Sequence, residues 1–173
     1  QPGEYHADLI VKNDTPYGKF SVPVTMTVTP PQSWGKIKGT VIGLGACDAN
    51  PAPLAEATVM VESITTGQTW LLETGDDGVY QLWLDQAHSP LVVTVTAPDY
   101  YGQQTGVIVR QGQTTLVDFN LRLLKPCLSN NPPSFDVTLP MGDNTSRLLT
   151  LSNTGAGMAE YELLEIVGGF IPM

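Results

Sequence analysis

Apolar and polar residues alternate with a period of two along most of the chain. In residues 18–29 (GKFSVPVTMTVT), for example, the valines and the methionine fall on one side and the threonines on the other. Successive side chains of a β-strand point to opposite faces, so this alternation predicts half-buried strands. No stretch shows a 3.6-residue apolar period, and the sequence therefore predicts an all-β protein with almost no helix.

The alternating stretches fall into groups of two, seven and three predicted strands, separated by residues that favour turns. They cover residues 5–12 and 18–29, then 36–43, 56–64, 68–74, 78–84, 90–97, 104–110 and 114–124, and finally 134–140, 145–152 and 158–167. A turn is predicted at 13–16, and Pro23 indicates an edge strand or a bulge. Seven short strands within about 90 residues are typical of a β-sandwich.

Two short connections in the central group predict hairpins, because they supply residues that tolerate positive φ. They are Thr66-Gly67 and Asp76-Asp77-Gly78. Residues 125–133 (KPCLSNNPP) predict a stiff polar linker. The strands on either side of the central group are too few to form a sandwich alone.

The chain of 173 residues is acidic, with a net charge of −9, and only 14% of its residues are charged. An acidic surface repels phosphate, which excludes nucleic acid and anionic membranes as partners. No apolar run approaches the roughly 20 residues that span a bilayer. The opening residues, QPGEYHADLIVKND, are typical of the middle of a domain, so we expect any targeting segment outside this sequence.

Cys47 and Cys127 are the two cysteines of the chain. They cannot form a four-ligand zinc site by themselves. Two alternatives are open: a pair of buried free thiols, or one disulfide that closes a loop of about 80 residues. The low charge fits an extracellular protein, which favours the disulfide.

The sequence contains no nucleophile elbow, no HExxH and no glycine-rich phosphate loop. Its two histidines, His6 and His88, have no triad context, so we predict that the chain is not an enzyme and uses no cofactor. Calcium is the one ion with candidate ligands, Asp76 and Asp77, together with a weaker group at 48–50. Calcium takes six to eight oxygens, and adjacent aspartates are explained more simply as turn formers.

Trp70 and Trp83 are candidates for stacking on a sugar ring. They lie in consecutive predicted strands and are expected to share one face. Along 79–84, alternation places Trp83 on the more polar face, opposite the core. The alternative is that the indole covers a seam between domains, and exposure of the two tryptophans distinguishes these roles.

The central group resembles the carboxypeptidase regulatory-like family, which has a transthyretin-like fold. The matching stretches are GKIKGTVIG, APLAEATVMVES, ETGDDGVYQLWL, LVVTVTAPDYYGQQTGVIV and QGQTTLVDFNLRL. The resemblance implies a seven-stranded sandwich over 33–124, with a hairpin at TGDDGVY in which Gly78 forms the turn and Tyr80 packs inward.

The flanks resemble parts of a different module, the immunoglobulin-like repeat. Residues 1–32 are similar to its last strands, and 134–173 to its first strands. Similar arrays occur as accessory regions of large secreted bacterial proteins, including subtilisin-like peptidases. The resemblance implies a secreted or cell-surface spacer or interaction module whose partners are neighbouring domains. A carbohydrate- or peptide-binding accessory module of a secreted hydrolase is the alternative.

The two flanks are complementary halves, each with an apolar face and open strand edges. We expect residues 1–30 to pair with 131–173. Pairing within one chain would give a permuted sandwich, and pairing between chains would give a swapped dimer or a filament. We favour pairing between chains, because the ends of modules that resemble the central group often lie at opposite poles.

Overall fold

The computed structural model describes residues 1–12, 14, 16, 18–48, 50–166 and 168–169. Over these ranges the regular structure is β-strand apart from one 3₁₀ turn, so the predicted all-β class is confirmed. None of the described segments forms a helix long and apolar enough to cross a membrane. The strands are β1 (Gly3–Val11), β2 (Phe20–Val28), β3 (Trp34–Leu44), β4 (Ala52–Pro53), β5 (Thr58–Ser63), β6 (Thr69–Glu73), β7 (Val79–Asp85), β8 (Leu91–Thr96), β9 (Gln103–Val107), β10 (Thr114–Leu116), β11 (Phe119–Arg122), β12 (Leu128–Asn131) and β13 (Thr150–Asn153).

Strands β3 to β11 form a sandwich of two sheets. In the first sheet, β3 is antiparallel to β7 and β4 and parallel to β10 and β11. The second sheet is antiparallel, in the order β6-β5-β8-β9. The two inner faces enclose one core, because alternate residues of each strand are buried. The most buried apolar side chains are Ile37, Val41, Ala57, Val59, Val61, Leu91, Val93, Val95 and Leu121.

Two polar side chains, Ser63 and Thr74, are buried with this core, and both are hydrogen-bonded. The Ser63 hydroxyl donates to the His88 carbonyl at 2.7 Å. The Thr74 hydroxyl donates to the Leu54 carbonyl at 2.6 Å and accepts from the Ala57 N–H at 2.9 Å. These bonds offset the cost of removing the hydroxyls from water.

The predicted hairpin at Thr66-Gly67 is present, with β5 antiparallel to β6 and Gly67 at a φ of 70°. The hairpin predicted at Asp76-Asp77-Gly78 is wrong. Gly78 does adopt a φ of 71° and Tyr80 is buried, but the turn crosses between sheets, since β6 pairs with β5 and β7 pairs with β3.

The strand predicted over 114–124 is divided in two, because the chain leaves regular pairing with β3 between β10 and β11. At the break the Asp118 carboxylate accepts a hydrogen bond from the Thr40 N–H at 2.8 Å, so a side chain takes the place of a backbone acceptor.

The N-terminal flank is a two-stranded antiparallel sheet, in which β1 pairs with β2 over nine residues each. Pro23 pairs with Asp8, and both strands are edges, so the predicted edge position of Pro23 is confirmed. The predicted turn at 13–16 lies partly outside the described residues, since Asn13 and Thr15 are not among them.

The C-terminal flank differs most from the prediction. No strand forms over 134–140, and none forms over the described part of 158–167. Of the predicted strand 145–152, only the last three residues are paired, as the start of β13 (Thr150–Asn153). Its partner is β12, which lies inside the stretch predicted to be a linker. Alternation alone creates an apolar side but no pairing partner, so isolated strands of this kind do not form stably.

The two flanks form separate sheets within one chain, β1-β2 and β12-β13. The described strands therefore show no pairing of residues 1–30 with 131–173 in a single copy. Pairing between copies remains a prediction.

Candidate functional site

The three tryptophans of the chain, Trp34, Trp70 and Trp83, line one shallow depression of about 140 Å³. All three indoles are half-buried. The remaining lining residues are Gln1, Gln68, Leu84, Asp85 and His88. The depression thus combines aromatic surface with amide, carboxylate and imidazole groups.

The depression lies on the side of the sandwich where β6 and β7 each pair with one neighbour only. Trp70 belongs to β6 of the second sheet and Trp83 to β7 of the first. The two tryptophans were expected to share one face, and both line this depression although their strands belong to different sheets. They meet because the two sheets are stacked and both strands are at the same open side of the core.

A 3₁₀ turn, Gln86–His88, positions the imidazole beside Trp70. Asp85 caps this turn by accepting the Ala87 N–H at 2.9 Å, and it accepts the Ser33 hydroxyl at 2.6 Å. These two hydrogen bonds lower the pKa of Asp85, so the carboxylate is ionised at neutral pH.

His88 packs its ring edge-on against the indole of Trp70, with ring centroids 5.0 Å apart. Its Nδ1 lies 3.3 Å from the Thr66 hydroxyl, so the imidazole is held from two sides. The sequence alone gave no reason to assign His88 a position at the site.

Trp83 also lies against the N-terminal hairpin. The backbone N–H of Trp83 donates to the Gln1 side-chain carbonyl at 3.0 Å, and the Lys36 ammonium lies 5.6 Å from the centre of the Trp83 ring. A second depression, of about 430 Å³, separates the base of β1 and β2 from Lys36, Gln81 and Trp83. Trp83 is therefore placed between the sandwich and its N-terminal flank.

The aspartates considered for calcium act locally in the structure. The Asp77 carboxylate accepts the Val79 N–H at 3.0 Å, which closes the turn at Gly78. Within the described part of the chain, no group of three histidines, cysteines or acidic residues is arranged to hold a metal ion. The weaker group at 48–50 includes Ala49, which lies outside that part.

The opposite end of β3 is held by a covalent bond. The predicted disulfide between Cys47 and Cys127 is present, and it connects the segment after β3 to the start of the C-terminal flank. Arg122 supports the same segment by donating from Nη1 to the carbonyls of Gly45 and Ala46, at 3.3 and 2.9 Å. The Cys127 N–H in turn donates to the Asn153 side chain at 2.9 Å.

These features define a small β-sandwich domain with an aromatic depression on its open side. A family model described as the carboxypeptidase regulatory-like domain matches residues 36–122. The chain belongs to the carboxypeptidase regulatory-like domain family. A search of curated protein sequences gave no match.

Three solved structures are similar in fold. The major plantain pollen allergen Pla l 1 is 18% identical with a TM-score of 0.42, over 52% of this chain and 94% of the allergen. GBS52, the minor pilin of Streptococcus agalactiae, is 17% identical with a TM-score of 0.44, over 71% of this chain and 57% of the pilin. The Bacillus anthracis TIE protein is 13% identical with a TM-score of 0.45, over 75% and 27%. Likeness at this level carries no argument about function.

Proposed function

We propose that this chain is a non-catalytic connecting module of a secreted or cell-surface multidomain protein, and that it holds its two flanks at a fixed separation. The proposal rests on one observation, that the flanks are attached at opposite ends of β3, the longest strand. The N-terminal flank leads directly into Trp34, and its Gln1 side-chain carbonyl accepts the backbone N–H of Trp83. The C-terminal flank is attached at Cys47, just beyond Leu44.

The separation follows from strand geometry. Eleven residues of β3 at a rise of about 3.3 Å per residue place its ends about 33 Å apart. The strand is fixed on both sides by β7, β10 and β11, so its length cannot change without opening the core. The disulfide supports a secreted location, since such bonds persist in oxidising compartments.

Spin labels on the two flanks test this separation. With labels introduced as non-natural residues at Thr25 and Ser152, pulsed dipolar spectroscopy is expected to give one narrow distance distribution, because both flanks are attached to the same rigid strand. Labelled protein is diluted with unlabelled protein, so that only distances within one copy are measured. A pair inside the module, Lys38 and Thr105, supplies the width expected for rigid sites. A Thr25–Ser152 distribution much broader than this reference would contradict the connector role.

The aromatic depression favours a second candidate function, binding of a carbohydrate. Three indoles offer stacking surfaces to the apolar face of a sugar ring, while Gln68 and the ionised Asp85 offer hydrogen-bonding groups to its hydroxyls. The volume of about 140 Å³ suits one sugar unit rather than a long chain. Such a module would act as an accessory to a secreted hydrolase.

Glycan binding is expected to depend on Trp70 and Gln68. On a glycan array followed by titration of the best ligand, Gln68→Ala and Trp70→Ala should each weaken binding at least about tenfold, which corresponds to about 1.4 kcal/mol. Leu71→Ala on the same strand is the control, because Leu71 is 71% exposed and does not line the depression. Failure of the wild-type protein to bind any glycan, or equal loss in the control, would exclude this function.

A further inference from the structure

The aromatic depression holds a negative charge that its own lining does not neutralise. Among the described residues that line it, Asp85 is the one carboxylate, and none is a lysine or an arginine. The two groups that hydrogen-bond to Asp85, the Ala87 N–H and the Ser33 hydroxyl, are neutral, so they fix the carboxylate without cancelling its charge. His88 adds a positive charge only when its imidazole is protonated, below neutral pH. The depression is therefore an acidic site with largely aromatic walls.

The three indoles of the depression favour a cation as the ligand, because the faces of an indole ring are negative and attract positive charge. Trp34, Trp70 and Trp83 are each half-buried, so part of every ring remains accessible. The Lys36 ammonium lies 5.6 Å from the centre of the Trp83 ring, which shows that this ring is accessible to a positively charged group. Lys36 itself lines the neighbouring depression and not this one.

The chemistry of the lining selects the type of cation. Calcium takes six to eight oxygen ligands, whereas this depression offers one carboxylate and the side-chain amides of Gln1 and Gln68. A primary ammonium is compact and strongly hydrated, and it has three N–H donors to satisfy. An alkylated ammonium group spreads its charge under apolar methyl groups, so it gains from contact with indoles and needs no directional acceptor. The volume of about 140 Å³ suits one such group.

We propose that the aromatic depression binds an alkylated ammonium group, such as the trimethylammonium group of choline. The three indoles contact its methyl groups, and the Asp85 carboxylate supplies the opposite charge. The net charge of −9 adds a longer-range attraction for cations. The second candidate function assigns a sugar to the same depression, so the two ligands are alternatives. The connector role depends on neither of them.

Titration of the full chain with choline, followed by NMR of the indole N–H signals, tests the proposal. Measurement at about pH 8 keeps imidazole uncharged. All three tryptophans line the depression, so their indole signals should shift together, with a Kd at or below about 1 mM. The uncharged isostere of choline, in which a tert-butyl group replaces the trimethylammonium group, should bind at least about tenfold more weakly. Raising the ionic strength should weaken choline binding, because the attraction is electrostatic.

Two aspartate variants test the role of the carboxylate. Asp85→Asn removes the charge and keeps an acceptor for the Ala87 N–H, so it should weaken choline binding at least about tenfold. Asp77→Asn is the matched control, because Asp77 also closes a turn, by accepting the Val79 N–H, but does not line the depression. Its affinity for choline should stay within about twofold of the wild-type value. Unchanged backbone amide signals of the core strands show that both variants are folded.

A peptide that carries a trimethylated lysine is the second probe, and it distinguishes a group borne by a protein from a free small molecule. Binding of either probe, with the expected loss in Asp85→Asn, supports the proposal. Equal affinity for choline and for its uncharged isostere would overturn it, because the site would then have no preference for charge. Absence of indole shifts with both probes would overturn it as well, including the case in which only a sugar binds. The spin-label distances would still test the connector role.

Discussion

Replacement of Gly39 by alanine is expected to lower the free energy of unfolding by about 3 kcal/mol. Gly39 lies in the centre of β3, opposite Tyr80 of β7. A Cβ atom at this position would overlap the carbonyl oxygen of Val117 and would lie 2.8 Å from Cε1 of Tyr80. Neither group can move freely, because backbone and a buried ring lie on the two sides.

The effect is large because the Val117 backbone is part of a fixed arrangement. Its carbonyl accepts the Tyr80 hydroxyl at 2.6 Å, and its N–H donates to the Lys38 carbonyl at 2.9 Å. Burial, with a smaller contribution from Asp118, raises the pKa of Tyr80, so the hydroxyl remains a donor throughout the neutral range. Displacing the carbonyl would weaken both hydrogen bonds and separate β10 from β3.

Gly106→Ala is the matched control for Gly39→Ala. Gly106 lies in β9 at the end of the second sheet, and a Cβ there meets no atom within 4 Å. The free energy of unfolding of Gly106→Ala should stay within about 0.5 kcal/mol of the wild-type value. Urea denaturation followed by tryptophan fluorescence measures both changes. Equal midpoints for the two variants would mean that the close approach at Gly39 does not limit the fold.

Loss of the disulfide is expected to cost about 4 kcal/mol. The bond joins residues 80 positions apart, so it removes much of the conformational freedom of the unfolded chain. It also fixes the start of β12, whose other contacts are those of a two-stranded sheet. The double variant Cys47→Ser/Cys127→Ser should therefore unfold at a clearly lower guanidinium concentration than the oxidised wild type.

Reduced wild-type protein provides the comparison for that variant. Both lack the bond but differ in the side chains at the two positions, so they should unfold at similar denaturant concentrations. Arg122 still holds the carbonyls of Gly45 and Ala46 in both, and the sandwich should remain folded. If reduction left the midpoint of the wild type unchanged, the bond would contribute nothing to stability.

The strands of the sandwich were predictable because each has a buried side and an exposed side. In β5, for example, buried Val59 and Val61 alternate with exposed Met60 and Glu62, and this alternation with a period of two predicts a strand. The alternation does not predict which strands pair with each other. The turn at Gly78 therefore has the residues of a hairpin although it connects different sheets.

In the C-terminal flank, alternation of apolar and polar residues did not predict the strands correctly. Residues 134–140 have clear alternation yet form no strand in one copy, while Leu128–Asn131, with no apolar alternation, does. The difference is that β12 has a pairing partner held in place, since Cys127 holds β12 beside Asn153.

The aromatic depression was only half predictable for a similar reason. Trp70 and Trp83 were identified, but the contributions of Trp34 and His88 depend on how the sheets stack.

The position of Cys47 has a mechanical consequence for a chain pulled from its two ends. Tension entering through the N-terminal flank passes along β3 to Cys47, crosses to Cys127 and leaves through the C-terminal flank. Residues 48–126 lie outside this covalent path and carry no load. Since β3 is already close to full extension, the module can lengthen very little before a bond breaks. It should behave under force as a short inextensible link, whose hidden length is released only by a reductant.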